Sequence, residues 1–146
     1  GVFHPDLVGI QVRVLQRLGS RHVMVVHGRE GLDEISVSGP TLVGELKDGE
    51  VNEYELNPSE YGLELYDRRA IQVNTVDESK QMILAVLENQ SGPALNIVLL
   101  NAGAAIYVAG VAKSFEDGIE RARKAIASGA AKAKLEAFVA FSHGLK

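Results

Sequence analysis

The chain has no cysteine, and only 5% of its 146 residues are aromatic. Without cysteine there are no disulfides, no thiolate metal ligands and no cysteine nucleophile. Long apolar runs are missing as well. The longest, Ile97 to Val111, is interrupted by Asn101, Gly103 and Gly110, short of the roughly 18 unbroken residues that suggest a membrane span. No membrane segment is expected, and with no basic-then-apolar leader at the start the expected location is cytoplasmic. Positive charge is also scarce. The net charge is −4, and between Glu30 and Asp67 the acids outnumber the bases, which argues against a general nucleic-acid binder. Three catalytic signatures are absent too: the Gly-x-Ser-x-Gly elbow of serine hydrolases, the dinucleotide fingerprint and the Walker loop.

What is present is a core. At 46% apolar, residues 1–146 are enough for one domain. Leu7, Ile10, Val14 and Leu18 recur at helical spacing after His4-Pro5-Asp6, with Val12 and Leu15 widening the stripe and Gly19 ending it. The unbroken run from His22 to Val26 predicts an interior strand buried on both faces. Asp48-Gly49, between alternating runs over Thr41 to Lys47 and Glu50 to Leu56, predicts an antiparallel hairpin at the sheet edge, with Glu45, Lys47, Glu53 and Glu55 in water. Pro58 to Tyr61 reads as one helical turn closed by Gly62.

The C-terminal half is mostly helical by its periodicity. A helix is expected from about Val76 to Glu88, and a nearly all-apolar one opens at Pro93 and carries Leu95, Val98, Leu99 and Ile106. Ser114 and Asp117 suggest a capping box for a third, and Leu135, Phe138 and Val139 are the expected anchors of a last helix over Ala130 to Phe141. The class is α/β: part of a mainly parallel sheet with an antiparallel β-hairpin, packed by helices.

The chemistry concentrates after the first strand. His27-Gly28 and Gly31 break it into a tight loop that presents two adjacent carboxylates, Asp33 and Glu34. A solvated acidic turn would look the same. So would half of a magnesium site, because Mg²⁺ takes one or two carboxylates and completes its shell with water and substrate phosphates. Gly28, Gly31 and Gly39 serve as turn glycines around the pair. His27 and Asn101 are better explained as groups bonding loop backbone than as ligands. Ser36 and Ser38 could be nucleophiles only with a nearby base, and without a Gly-x-Ser-x-Gly elbow serine hydrolysis is rejected, while the basic residues from Arg121 to Lys134 read as a solvated helix face.

Taken together, His27-Gly28-x-x-Gly31-Leu32-Asp33-Glu34-Ile35-Ser36 and Gly39-Pro40-Thr41 resemble the metal-binding segment of the anthranilate phosphoribosyltransferase family. That family lies within glycosyltransferase family 3 and the class II nucleoside phosphorylase superfamily. The resemblance continues through Gly1-Val2-Phe3, Pro58 to Leu63, Gly92-Pro93, Leu99-Leu100-Asn101-Ala102 and Lys134-Leu135-Glu136, in order and nearly end to end.

The resemblance implies a transferase of tryptophan biosynthesis acting on phosphoribosyl pyrophosphate and anthranilate. Mg²⁺ would be held by Asp33 and Glu34, and the intact enzyme would be a homodimer. The family's Gly-Thr-Gly-Gly-Asp loop and Lys-His-Gly-Asn segment do not occur in this sequence. The chain is therefore expected to be the C-terminal portion of a larger enzyme, without its N-terminal helical domain and pyrophosphate loop, and inactive alone. Two rival readings remain: a sister enzyme resembling pyrimidine nucleoside phosphorylase, and a non-catalytic binding module on the same scaffold.

Overall fold

Apolar side chains on both faces of the strands dictate a layered architecture. The computed structural model describes residues 1–145. Its elements follow in the order α1 (Asp6–Arg17), β1 (His22–Gly28), β2 (Thr41–Lys47), β3 (Glu50–Leu56), α2 (Val76–Leu87), α3 (Pro93–Val108), α4 (Phe115–Ala127) and α5 (Ala130–His143). Single 3₁₀ turns lie at Pro58–Tyr61 and Arg68–Ile71. Successive strand residues point to opposite faces. Val25 and Leu46 meet Val8 and Val12 of α1 on one side. Val26, Val43 and Leu56 meet Leu99 and Leu100 of α3 and Ile119 of α4 on the other. No helix is long and apolar enough to cross a membrane among the described residues.

The sheet corrects one expectation. Its order is β1-β2-β3, and both pairings are antiparallel. No parallel pair exists among the described residues, and β1 is an edge strand, although its faces are covered. Burial on both faces marks a sandwiched strand, not the direction of its neighbour. The hairpin is as its dipeptide predicts. Asp48 and Gly49 both take positive φ, 52° and 87°, as a two-residue type I′ turn requires.

Helix α1 buries a different stripe from the one its spacing suggests. Val8 and Val12 are buried, whereas Ile10 and Leu18 are 58% and 76% exposed. Two apolar stripes compete on this helix, and Gly44 of β2 decides between them. A side chain there would press on Val8 and Val12 at about 3 Å, so the bare backbone lets that face come close. In α5 the expected anchors also fail. No residue of the helix is buried, and Phe138 is 66% exposed.

Other elements agree closely with the sequence. Phe115, Ile119, Ala122 and Ile126 of α4 are all buried, and Ser114 accepts the Asp117 amide at 3.2 Å. The box is not reciprocal, because the short Asp117 side chain takes the Lys113 amide instead. An unforeseen and complete capping box starts α2, between Thr75 and Glu78. The basic run is a solvated face, with Arg121 on Asp117, Arg123 on Glu120 and Lys132 on Glu88.

Helices α3 and α4 cross where both carry glycine. A Cβ on Gly118 would collide with the Gly103 carbonyl, and one on Gly103 with Ile119. Glu45, expected in water, is mostly buried in β2. It accepts from His22 Nε2 and Tyr54 Oη, each at 2.9 Å. The His22 ring meets Tyr107 edge-on at 4.7 Å, and Lys47 Nζ donates to the Tyr107 hydroxyl at 3.1 Å. Burial acts to raise the Glu45 carboxyl, but His22, Tyr107 and Tyr54 together outweigh it and hold it below its ordinary 4.5. Burial and the Glu45 carboxylate push the Tyr54 phenol far above its usual range.

Two outcomes are expected. Gly118→Ala should destabilise the chain by about 1–3 kcal/mol, the usual cost of overpacking, read as a lower urea midpoint at unchanged slope. Glu45→Gln should reveal the depressed carboxyl in the pH dependence of unfolding. A lowered folded value means that its contribution is complete above the unfolded value and lost as pH falls through the folded one. The stability gap between wild type and variant should thus be constant near pH 6 and close below about pH 4.

Candidate metal-binding loop

The loop that joins β1 to β2 has an exposed half and a buried half. Its neck is closed by the Arg29 amide on the Pro40 carbonyl at 3.0 Å. Within it the Gly28 amide donates to the Leu32 carbonyl at 2.7 Å and the Gly31 amide to the Gly28 carbonyl at 2.9 Å. Gly31, at φ 99°, occupies backbone space closed to most side chains. This tight ring projects Asp33 and Glu34 just beyond the carboxyl end of β1. Both are exposed, and neither joins an ion pair among the described residues.

Immediately afterwards the chain dives into the core. Ile35, Ser36 and Val37 are buried, yet they belong to no helix or strand. Buried backbone groups outside regular structure need partners from elsewhere. Asn101 of α3 supplies two. Its Oδ1 accepts from the Ile35 amide and its Nδ2 donates to the Ile35 carbonyl, both at 2.9 Å. Thr41 Oγ1 accepts the Ser36 amide at 3.0 Å, Ser36 Oγ accepts the Ser38 amide at 2.9 Å, and the Tyr66 amide reaches the Val37 carbonyl at 2.9 Å.

The remaining contacts close the loop from its flanks. Ser36 Oγ donates to the Glu30 carboxylate, and Arg68 Nη1 to the Glu30 carbonyl at 3.0 Å. His27 is buried and donates Nδ1–H to the Val2 carbonyl at 2.7 Å, while the Val2 amide donates to Val26 at 2.9 Å. These bonds lay Gly1 against the loop so tightly that a Cβ on it would overlap the Asp33 carbonyl. His27 and Asn101 thus bond loop backbone, and Ser36 is sealed from any substrate.

Sequence reasoning missed Gly1, Thr41, Tyr66 and Arg68 as supports of the loop. Gly1 and Thr41 left a trace, as parts of the quoted Gly1-Val2-Phe3 and Gly39-Pro40-Thr41 segments, without the backbone contacts they make. Tyr66 and Arg68 act over chain separations that no local pattern reports.

Asp33 and Glu34 suit a hard cation in part. They offer unpaired carboxylate oxygens on a braced loop, the donor chemistry that Mg²⁺ takes. Among the described residues, no cluster of three or more acids, histidines or cysteines is placed to enclose a metal. The pair therefore fits a cation whose remaining ligands come from water or a bound phosphate. Beside it, a cleft of about 280 Å³ follows the free edge of β1, between that strand and α3, with Glu34 and Gly1 at one end and His22 at the other.

An α/β sandwich with an exposed acid pair at the carboxyl end of a strand defines a class of carboxylate-bearing α/β domains. Residues 1–132 match the family model described as "Glycosyl transferase family, a/b domain", and the chain belongs to that family. Anthranilate phosphoribosyltransferase of Methylibium petroleiphilum is 62% identical over 146 residues, covering all of this chain and 42% of that protein. The crystal structure of the anthranilate phosphoribosyltransferase of Thermus thermophilus superposes with a TM-score of 0.88 at 35% identity, over 97% of this chain and 41% of that one. The Saccharomyces cerevisiae enzyme, solved in complex with PRPP and Mg, shares the fold, with a TM-score of 0.81 at 24% identity over 93% and 40% of the two chains. The chain spans about two fifths of the length of these relatives.

Proposed function

We propose that this chain is the C-terminal α/β portion of an enzyme that transfers the phosphoribosyl group of phosphoribosyl pyrophosphate to anthranilate. The products are phosphoribosyl anthranilate and pyrophosphate, a step of tryptophan biosynthesis in the cytoplasm. The observation that carries this reading is the 62% identity with the Methylibium transferase across all 146 residues. The exposed, unpaired Asp33 and Glu34 are the groups in the chain best suited to the reaction's charge.

The chemistry asks for little proton transfer from these residues. Displacement at the ribose carbon leaves positive character on the sugar and negative charge on the departing pyrophosphate. When bound, Mg²⁺ offsets that negative charge and orients the leaving group. Asp33 and Glu34 would hold it, directly or through water, as ionised carboxylates. Their loop contributes by standing still, since its neck, its buried half and its flanks are all hydrogen-bonded.

The cleft along β1 supports a further part of the same reading. The free edge offers unpaired backbone groups beside apolar α3 side chains, which suits added strands. In the intact enzyme, strands from the rest of the protein lie there and make the sheet mainly parallel. A helical domain of the intact enzyme then pairs two copies as a homodimer.

Replacing Asp33 by Asn and Glu34 by Gln together in the intact enzyme should reduce turnover at least a hundredfold while leaving the unfolding midpoint within error. Unfolding of the double variant with metal dependence unchanged would make the pair structural. The 146-residue chain alone should form no phosphoribosyl anthranilate, even in excess magnesium. Positioning two reactants is worth roughly 7–11 kcal/mol of barrier in favourable cases, and the Gly-Thr-Gly-Gly-Asp loop that the resemblance assigns to pyrophosphate does not occur in these residues. Turnover within about tenfold of the full-length control would place the active site elsewhere.

A further inference from the structure

Asn101 is a polar residue in the middle of a mostly apolar helix, whose other polar side chains are Asn96 and Tyr107, and its amide makes three hydrogen bonds. Nδ2 donates to the carbonyls of Ile35 and of Ile97, one turn back along α3, both at 2.9 Å, and Oδ1 accepts from the Ile35 amide at 2.9 Å. The bond to Ile97 anchors the amide to its own helix. The two bonds to Ile35 then fix one peptide residue from both sides, 66 positions away in the chain. Ile35 follows Glu34 directly, so the Ile35 amide that Asn101 holds lies in the same peptide plane as the Glu34 carbonyl. The helix that carries the clamp is itself held, because Leu99 and Leu100 have no exposed surface.

From this geometry we propose that Asn101 is a positioning residue for Asp33 and Glu34: the core helix, through one amide, sets where the two carboxylates stand. The proposal rests on the reading that this pair holds magnesium. A purely structural asparagine would satisfy buried backbone and affect only stability, whereas a positioning residue also governs how tightly the loop takes a cation.

The test uses the full-length enzyme with Asn101→Leu, which keeps the volume and removes all three bonds. Asn101→Asp, which keeps the acceptor for the Ile35 amide but turns an oxygen toward the carbonyls of Ile35 and Ile97, is the second variant should the first fail to fold. Mn²⁺ binding in the presence of phosphoribosyl pyrophosphate, followed by paramagnetic resonance, gives an affinity independent of turnover. Amide exchange reports the loop itself.

We expect the Ile35 amide to lose protection in both variants while β1 and α3 keep theirs. Mn²⁺ affinity should fall about tenfold in Asn101→Leu and should fall in Asn101→Asp as well. The half-saturating magnesium concentration for activity should rise in parallel, with kcat at saturating metal changed less than threefold. Unchanged protection of Ile35 would overturn the proposal. So would a loosened loop with unchanged Mn²⁺ affinity, in a background where Asp33→Asn with Glu34→Gln lowers that affinity. If the double acid variant itself binds Mn²⁺ as wild type does, the magnesium reading fails first and the role of Asn101 falls with it.

Discussion

The structure depends on one awkward necessity: a stretch of irregular backbone, Ile35 to Val37, is buried in the core. A strand satisfies its amides and carbonyls with the neighbouring strand, and a helix does so internally. This stretch has neither option, and an unpaired buried amide or carbonyl costs about 1–3 kcal/mol. The answer is distributed. Asn101 takes both polar groups of Ile35, Thr41 takes the Ser36 amide, and Tyr66 reaches Val37. Helix α3, strand β2 and the turn after Pro58–Tyr61 thereby meet at one loop. Loops that carry function on rigid scaffolds commonly need such bracing.

That bracing explains why an exposed acid pair can be held in place. Among the described residues Asp33 and Glu34 have no counter-ion, so the carboxylates take no orientation from an ion pair there. Their placement comes from the backbone on either side. Upstream, the Gly28–Leu32 ring and the tight seat of Gly1 against Asp33 fix the approach, and downstream the Asn101 clamp fixes the exit. The opposite end of the sheet works differently. There Glu45 is drawn inward and matched to His22 and Tyr54, a carboxylate committed to structure. Two sets of acids on one sheet thus divide between cohesion and availability.

The layered core sets the frame for both. Val25 and Leu46 bind α1, and Val26, Val43 and Leu56 bind α3 and α4, so the sheet is sealed on each face but open at the β1 edge. Apolar side chains also stay in water on α1 and α5, at Ile10, Leu18, Phe138 and Phe141. Exposed apolar surface of this kind, beside a strand edge that the Val2 amide bonds at Val26, is what protein interfaces commonly cover.

Several features followed from the sequence alone, because their causes are local. Asp48-Gly49 specified its turn through backbone strain, Pro93 and Ser114 marked helix starts through missing or satisfied amides, and the glycines around Asp33 and Glu34 announced a tight acidic loop. Tertiary structure decided what local pattern leaves ambiguous. Burial of β1 on both faces was visible, but its antiparallel partner was not, since either direction buries the same side chains. Two apolar stripes on α1 were equally regular, and only the bare Gly44 backbone opposite chose Val8 and Val12. Glu45 looked like a solvent-facing residue until His22 and Tyr54 closed on it from neighbouring strands. The supports of the loop were hidden for the same reason: a hydrogen bond between residues 35 and 101 leaves no period, spacing or composition in the chain, and exists only once the helix is folded over the sheet.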